Sequence, residues 1–195
     1  MGLILASASP RRTEILAGLG LHFEAVPSGF DEGALRGLGP RAHALAAAAG
    51  KAEAVARDRP GDSVIGIDTV VAVDGTTLGK PADGADARRM LAVLSGRDHA
   101  VISAVHVVRG ASSSAGHAIS QVRFRRLSRA EIDAYVATGE PADKAGAYAI
   151  QGGARAFASV TRGRLDTVVG LPTHLLRRLL RRVGDRDFAN LGPLR

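Results

Sequence analysis

The segment Leu3-Ile4-Leu5-Ala6-Ser7-Ala8-Ser9-Pro10-Arg11-Arg12-Thr13 constrains this chain more than any other. A short apolar run stops at Ser-x-Ser-Pro, and a helical pattern begins at once with Ile15, Leu16 and Leu19 as its apolar stripe. Ser9 falls at the N-cap position and Pro10 at the first helical position. Two arginines then occupy the first turn, where the helix dipole disfavours a cation by roughly 0.3–1 kcal/mol. Two readings follow. Arg11 and Arg12 are solvated surface residues, or they form an anion clamp with the hydroxyls and free N–H groups beside them.

Residues 3–6 read as a strand and 10–18 as a helix closed by Gly18 or Gly20. Pro40 opens an alanine-rich helix to about Arg57 that carries Gly50-Lys51. Val64-Ile65-Gly66-Ile67 is an apolar strand ending at Asp68-Thr69. Val70 to Val73 and Thr76 to Leu78 flank Asp74-Gly75, the pairing of a type I′ hairpin. Asp83 caps a helix whose apolar face is Met90, Leu91 and Leu94 and which Gly96 closes. Residues 99–108 and 117–127 read as strands around a flexible tip, Gly110 to Ser114. Ser128-Arg129-Ala130-Glu131 is a capping box, and its helix ends before Gly139. Residues 140–153 show no periodicity, and 156–161 suggest a strand. Pro172 starts a last helix with Leu175, Leu176, Leu179, Leu180 and Val183 inward and Arg177, Arg178, Arg181 and Arg182 outward. Helices mixed with hairpins predict an α/β or α+β fold with a mixed parallel and antiparallel sheet. One domain is expected over 1–184, with a loose tail over 185–195.

Composition narrows the function classes. The chain of 195 residues holds no cysteine, which excludes disulfides and thiolate metal sites. No run approaches the ~18 apolar residues of a membrane span, and the N-terminus does not read as a signal peptide. A cytoplasmic protein without membrane partners is expected. A net charge of +7 favours a polyanionic partner such as a nucleotide or nucleic acid. With aromatics at 4% and no tryptophan, stacking platforms for single strands are not expected. The arginines of the last helix lie opposite a leucine stripe, so simple amphipathic packing accounts for them without nucleic acid.

Four segments place polar residues where folding alone does not need them. They are Ser7 to Arg12, Asp31-Glu32, Gly66 to Val71 continuing to Leu78-Gly79-Lys80-Pro81, and Gly139 to Gly152. Asp68 is the sharpest. A carboxylate among apolar strand segments costs several kcal/mol to desolvate unless it is paired or metal-bound. The hairpin after Asp68 returns Lys80 toward the same sheet end, where the two make a salt bridge or serve a metal and a phosphate. Lys51 lies among small side chains that permit close approach, although a solvated lysine is the commoner case. His99, His106, His117 and His174 lack zinc spacing and read as structural or surface residues.

This combination resembles the Maf family of nucleotide pyrophosphatases from about residue 3 to 183. The resemblance rests on Leu5 to Arg12, Asp68-Thr69-Val70-Val71, Leu78-Gly79-Lys80-Pro81, Leu94-Ser95-Gly96-Arg97-Asp98-His99, Gly139-Glu140-Pro141, Asp143 to Tyr148, Ile150-Gln151-Gly152 and Val168 to Pro172, all in order. It implies an elongated fold with two lobes around a cleft, related to the inosine triphosphate pyrophosphatases. It implies hydrolysis of a nucleoside triphosphate to the monophosphate and pyrophosphate with a divalent cation, Mg²⁺ or Mn²⁺. The stretch from Asp143 to Gly152 looks like the subfamily acting on dTTP and UTP, and leaves modified pyrimidine nucleotides open as targets. Three positions depart from the family pattern: Ile67 where Ala is usual, Ala149 where Gly is usual and Thr167 where Asn is usual.

By the same resemblance, Ser7, Ser9 and the helix N-terminus hold phosphate oxygens, and Arg11 and Arg12 supply charged forks, Arg11 also as a specificity position. Lys51 and Lys80 neutralise the β- and γ-phosphates. Glu32 and Asp68 are the metal ligands, and Asp68 is the proton acceptor; ligand, base or both remain open for it. Thr69 and Gln151 read the base, since an amide offers both a donor and an acceptor to the O4 and N3–H edge of uracil or thymine. A nucleotide-binding regulator of cell division with little turnover is the competing class, against which stands the full set of charged residues that catalysis needs. A homodimer rests on the resemblance alone.

Overall fold

The apolar run that breaks at Asp68 in the sequence is one strand in the computed structural model, which describes residues 2–185. Ser63–Val73 (β3) is continuous and nearly all buried, with Asp68 at its middle rather than its end. The strand survives the polar pair because Thr69 is β-branched and because a strand needs its backbone ladder more than uniform side chains. The other strands are Leu3–Ala6 (β1), Glu24–Ala25 (β2), Thr76–Leu78 (β4), Asp98–Arg109 (β5), Ser112–Phe124 (β6) and Ala158–Arg162 (β7). The helices are Pro10–Gly18 (α1), Pro40–Ala56 (α2), Gly84–Leu94 (α3), Arg129–Ala137 (α4), Leu165–Val169 (α5) and Thr173–Arg182 (α6). The sheet order is β2-β1-β3-β5-β6-β7, with β4 on β3. β1 runs parallel to β2 and β3, whereas β3–β4 and β6–β7 are antiparallel, so the sheet is mixed as expected.

The described residues divide into two compact units: residues 2–68, 103–118 and 170–185, and residues 69–102 and 119–169. In the first, alternation along β1 and β3 assigns the faces. Leu3, Leu5, Ile65 and Ile67 pack with Leu16 of α1 and with Leu175, Leu176, Leu179 and Leu180 of α6. Each such side chain contributes about 1.5–3 kcal/mol on burial. Ile4, Ala6 and Val64 point the other way, toward Val55 of α2. Gly66 and Asp68 share the parity of Val64, so β3 delivers Asp68 to the α2 face. In the second unit, Val71, Val73 and Leu78 join Met90, Leu91 and Leu94 of α3, Ile132 and Tyr135 of α4, and Phe124 and Tyr148.

Several local expectations hold in detail. Asp74 and Gly75 both have positive φ, 50° and 76°, as a type I′ turn demands. Asp83 accepts from the Asp86 N–H at 2.8 Å, and the Ser128–Glu131 capping box is complete. Others need correcting. The Gly110–Ser114 tip is only Gly110-Ala111, because Ser112 to Ser114 already belong to β6; exposed strand positions need no apolar side chains. β6 also stops at Phe124, short of residue 127, and β7 starts at Ala158. Pro172 is the N-cap of α6, not its first residue. Arg177 is half-buried with its Nε shut off from solvent, so it does not face outward with Arg178, Arg181 and Arg182. Residues 140–153, without periodicity, contain 3₁₀ turns at Glu140–Asp143 and Ala145–Ala147, and a third begins at Gly153. Of the tail, Asp185 is not loose: it is buried, its N–H donates to the Leu180 carbonyl at 2.9 Å, and its carboxylate accepts from the Ser63 hydroxyl. Residues 186–195 lie outside the described residues. Among the described residues no helix is long and apolar enough to cross a membrane.

Candidate active site

Two glycines place the charged residues of the first unit. A Cβ on Gly66 would sit 2.1 Å from the Ala48 carbonyl oxygen and 2.6 Å from the Ala52 nitrogen, distances no real Cβ tolerates. The missing side chain lets α2 lie directly on β3, with Ala44, Ala47, Ala48 and Ala52 as its buried face. This contact carries Lys51 to Asp68: its Nζ donates to Asp68 Oδ1 at 2.7 Å. Gly50 does the same for the loop before α2. Its Cβ would overlap the Phe30 ring at 2.2 Å, so Phe30 sits where a side chain would be. Two residues on, Glu32 Oε1 lies 2.7 Å from the same Lys51 Nζ, and Glu32 Oε2 lies 3.7 Å from His43 Nε2.

Lys51 therefore bridges two carboxylates. The Asp68 side chain is 10% exposed and that of Lys51 14%, whereas Glu32 is open at 45%. Asp68 Oδ2 is buried and has no hydrogen-bond partner among the described residues. A half-satisfied buried carboxylate is costly, and such groups collect where a ligand completes them. Among the described residues no three His, Asp or Glu side chains gather as a metal group. The oxygen donors here are the pair Glu32 and Asp68. That pair suits a hard divalent ion that keeps waters and borrows phosphate oxygens, as Mg²⁺ does.

The Ser7–Arg12 segment adds a second layer. Ser9 is the N-cap of α1 by backbone geometry, but its side chain makes no cap hydrogen bond. Ser7 Oγ accepts from the Ser9 N–H at 3.2 Å and from Arg12 Nη1 at 3.1 Å, which leaves the hydroxyl proton to donate. Arg12 also donates from Nε to the Gly170 carbonyl at 3.2 Å. Burial holds the Arg12 pKa below its ordinary value, with Asp68 pulling it back up, Arg11 pushing it further down and Glu32 raising it. Arg12 is tied into the protein and Arg11 stands half-buried beside it, so neither is a freely solvated surface arginine. Lys51 thus joins Glu32 and Asp68, Ser7 joins Arg12, and both carboxylates act electrostatically on the Arg12 guanidinium.

Thr69, Lys80 and Gln151 belong to the second unit. Thr69 is half-buried on β3, while Lys80 and Gln151 are exposed. The β3–β4 register pairs Val71 with Leu78, which sends Lys80 back toward the Thr69 end of the hairpin. The Gly146 N–H donates to the Gly79 carbonyl at 3.0 Å, and a Cβ on Gly146 would press on Val71 at 3.0 Å. The Leu78–Pro81 motif and the 139–152 motif, far apart in the chain, are thereby neighbours. His99 is structural, as expected. It is buried against Phe124 and Tyr148, with Nε2 and the Tyr148 hydroxyl hydrogen-bonded at 2.9 Å. Burial lowers its pKa to about 4 and raises that of Tyr148.

A family model described as Maf-like protein matches residues 2–183. The chain belongs to the Maf family. It is 52% identical over 186 residues to a dTTP/UTP pyrophosphatase of Anaeromyxobacter dehalogenans, covering 93% of this chain and 94% of that one. It is 49% identical to a dTTP/UTP pyrophosphatase of Moorella thermoacetica, covering 91% and 93%. Among solved structures, the Staphylococcus aureus Ham1 protein gives a TM-score of 0.47 at 14% identity, over 63% of this chain and 71% of that one.

In this Maf chain the residue at the unusual position 167 is fully buried, and the Thr167 hydroxyl lies 3.5 Å from Asp166 Oδ1. Sequence reasoning gave no role to two further residues that touch the Gln151 loop. The Tyr135 hydroxyl donates to Glu140 Oε1 at 2.5 Å, and both Glu140 oxygens accept from the Gly153 N–H at 3.1 Å. Glu140 stood inside a quoted motif without an assignment, and Tyr135 carried no signal in the sequence that set it apart from the rest of α4.

Proposed function

We propose that this Maf chain hydrolyses dTTP and UTP in the cytoplasm, giving the nucleoside monophosphate and pyrophosphate. The observation that carries the reading is Asp68: a buried carboxylate with one oxygen held by Lys51 and the other without a partner among the described residues, in the field of Arg12 and beside the Lys51-bound Glu32. That is an arrangement for a polyanion and an activated water, in a chain half identical to dTTP/UTP pyrophosphatases.

Asp68 Oδ2 takes the proton from the attacking water, which a positioned base accelerates by about 10²–10⁴. The water oxygen bonds to the α-phosphorus, and the bond from that phosphorus to the bridging oxygen of the β-phosphate breaks, releasing pyrophosphate. Ser7, Ser9 and the α1 N-terminus bind phosphate oxygens, with Arg11 and Arg12 supplying positive charge where negative charge grows. Lys51 and Lys80 neutralise the outer phosphates. Glu32 and Asp68 would hold Mg²⁺ or Mn²⁺, which supplies Lewis-acid neutralisation of the phosphate oxygens. Thr69 and Gln151 read the pyrimidine edge, and a purine would leave the Gln151 amide unpaired.

The deciding experiment is pyrophosphate release from dTTP, UTP, dCTP, dATP and dGTP with Mg²⁺ or Mn²⁺ titrated. Expected is cation-dependent release that is fastest with dTTP and UTP. Nucleotide binding without pyrophosphate release, or a purine preference, overturns the reading.

A further inference from the structure

We propose that Tyr135 and Glu140 set the base preference of this enzyme by positioning the Gln151 loop, an inference that rests on Gln151 as the base reader. Gln151 is an exposed side chain on a turn, which by itself would sample many directions. Its backbone is nonetheless clamped on both sides by one pair of residues. Before it, the Ala149 N–H donates to the Tyr135 hydroxyl oxygen at 3.0 Å. After it, the Gly153 N–H donates to the Glu140 carboxylate. The Tyr135 O–H to Glu140 bond closes the bracket, and the Gly152 N–H donates to the Ala149 carbonyl at 2.9 Å across the turn.

The bracket is anchored and tight. Tyr135 is buried, with its ring edge-on to Phe157 at 5.2 Å. Glu140 is steadied in turn, its N–H donating to Thr138 Oγ1 at 3.2 Å while that hydroxyl donates to the Tyr135 carbonyl at 2.7 Å. A Cβ on Gly152 would lie 2.3 Å from Glu140 Oε2, so the carboxylate occupies the space a side chain would need. No catalytic step requires Tyr135 or Glu140. Their hydrogen bonds end on the backbone at positions 149 and 153, which fixes where residue 151 projects. An amide that must meet two base atoms at once needs a loop held in this way.

The test compares full-length wild type with Tyr135→Phe, Glu140→Gln, Glu140→Ala, Gln151→Ala and the Tyr135→Phe/Gln151→Ala double variant, on dTTP, UTP and dATP. Tyr135→Phe is expected to raise KM for dTTP and UTP about tenfold, the scale of one lost hydrogen bond, with kcat retained and dATP turnover unchanged. Glu140→Gln keeps an acceptor oxygen and should keep the preference, whereas Glu140→Ala loses it. On the Gln151→Ala background, Tyr135→Phe should cost nothing further, because both changes remove the same interaction. Equal losses on all three nucleotides, a fall confined to kcat, or additivity in the double variant would overturn the proposal. Gln151→Ala separates the two levels. If it keeps the pyrimidine preference, base reading by Gln151 falls and this inference with it. If it abolishes the preference while Tyr135→Phe and Glu140→Ala leave it intact, only the positioning role falls. Should Tyr135→Phe fail to fold, the Glu140→Gln and Glu140→Ala pair decides.

Discussion

Around Asp68 the packing devices are absences: Gly66 and Gly50 lack the side chains that would keep α2 off β3 and Phe30 off α2. Around Gln151 they are bulky rings, with Tyr135 against Phe157, Phe157 against Phe124, and Phe124 against His99 and Tyr148. The first region brings a lysine within 2.7 Å of two carboxylates. The second uses hydroxyls, backbone amides and a neutral imidazole, with Glu140 as its one carboxylate toward the loop. The contrast teaches how each job is met. Under the proposed chemistry at Asp68, charges act on a reacting phosphate most strongly when brought together in a low-dielectric setting, which small residues permit by close approach. Under the proposed base reading by Gln151, recognition needs fixed direction rather than field strength, which interlocked aromatic rings supply.

Three substitutions probe that contrast. Asp68→Asn should have the largest effect, lowering pyrophosphate release by about 10³ while the fold survives, since Lys51 keeps Glu32 as partner. Stopped assays set beside thermal unfolding check it; near-normal turnover would remove Asp68 from the chemistry. Gly66→Ala tests whether close approach is the device. Its Cβ meets backbone rather than a flexible side chain, so destabilisation of at least about 3 kcal/mol is expected. For a chain this size that is a melting shift on the order of 10 °C, with activity lost as Lys51 moves from Asp68. An unchanged melting temperature would show that α2 can retreat at no cost.

The third substitution, His99→Gln, probes the aromatic region through its response to acid. His99 is held neutral with a pKa of about 4, below the ordinary 6.5, because burial penalises its charged form, a shift Asp98 only partly opposes. The unfolded chain therefore takes up a proton first as the pH falls, and stability declines from about pH 6.5 down to about pH 4, by roughly 2–3 kcal/mol. Above pH 6.5 this group adds no pH dependence to stability. His99→Gln, which retains an acceptor for Tyr148, should lower baseline stability yet flatten the decline. Urea unfolding at pH 7, 5.5 and 4 measures it, and an identical pH slope in both proteins would exclude His99 as the cause. Pyrophosphate release at pH 7 should change little, in contrast to Asp68→Asn.

The parts of the fold that local chemistry dictates were readable without coordinates. The Asp74-Gly75 turn, the Asp83 cap, the Ser128–Glu131 box and the leucine stripe of α6 each rest on neighbours within a few residues. The candidate site was partly readable, because carboxylates and lysines in apolar or small-residue settings are conspicuous by cost. What escaped is what depends on partners distant in the chain. Arg12 is drawn to a carbonyl 158 residues away, and the Tyr135 hydroxyl gains a role only through Glu140 and the Ala149 amide.

By itself the sequence determined that this is a chain of mixed helices and strands, that the Asp68 carboxylate needs a partner or a metal, and that its motifs resemble those of the Maf family. Only tertiary structure decided that β3 runs unbroken through Asp68, that Gly66 admits α2 and so gives Lys51 to that carboxylate, and that Tyr135 and Glu140 clamp the Gln151 loop. The physical reason is range. Propensity, capping and turn geometry act over a few residues, whereas burial, close approach and hydrogen-bond satisfaction exist only once remote segments share one place.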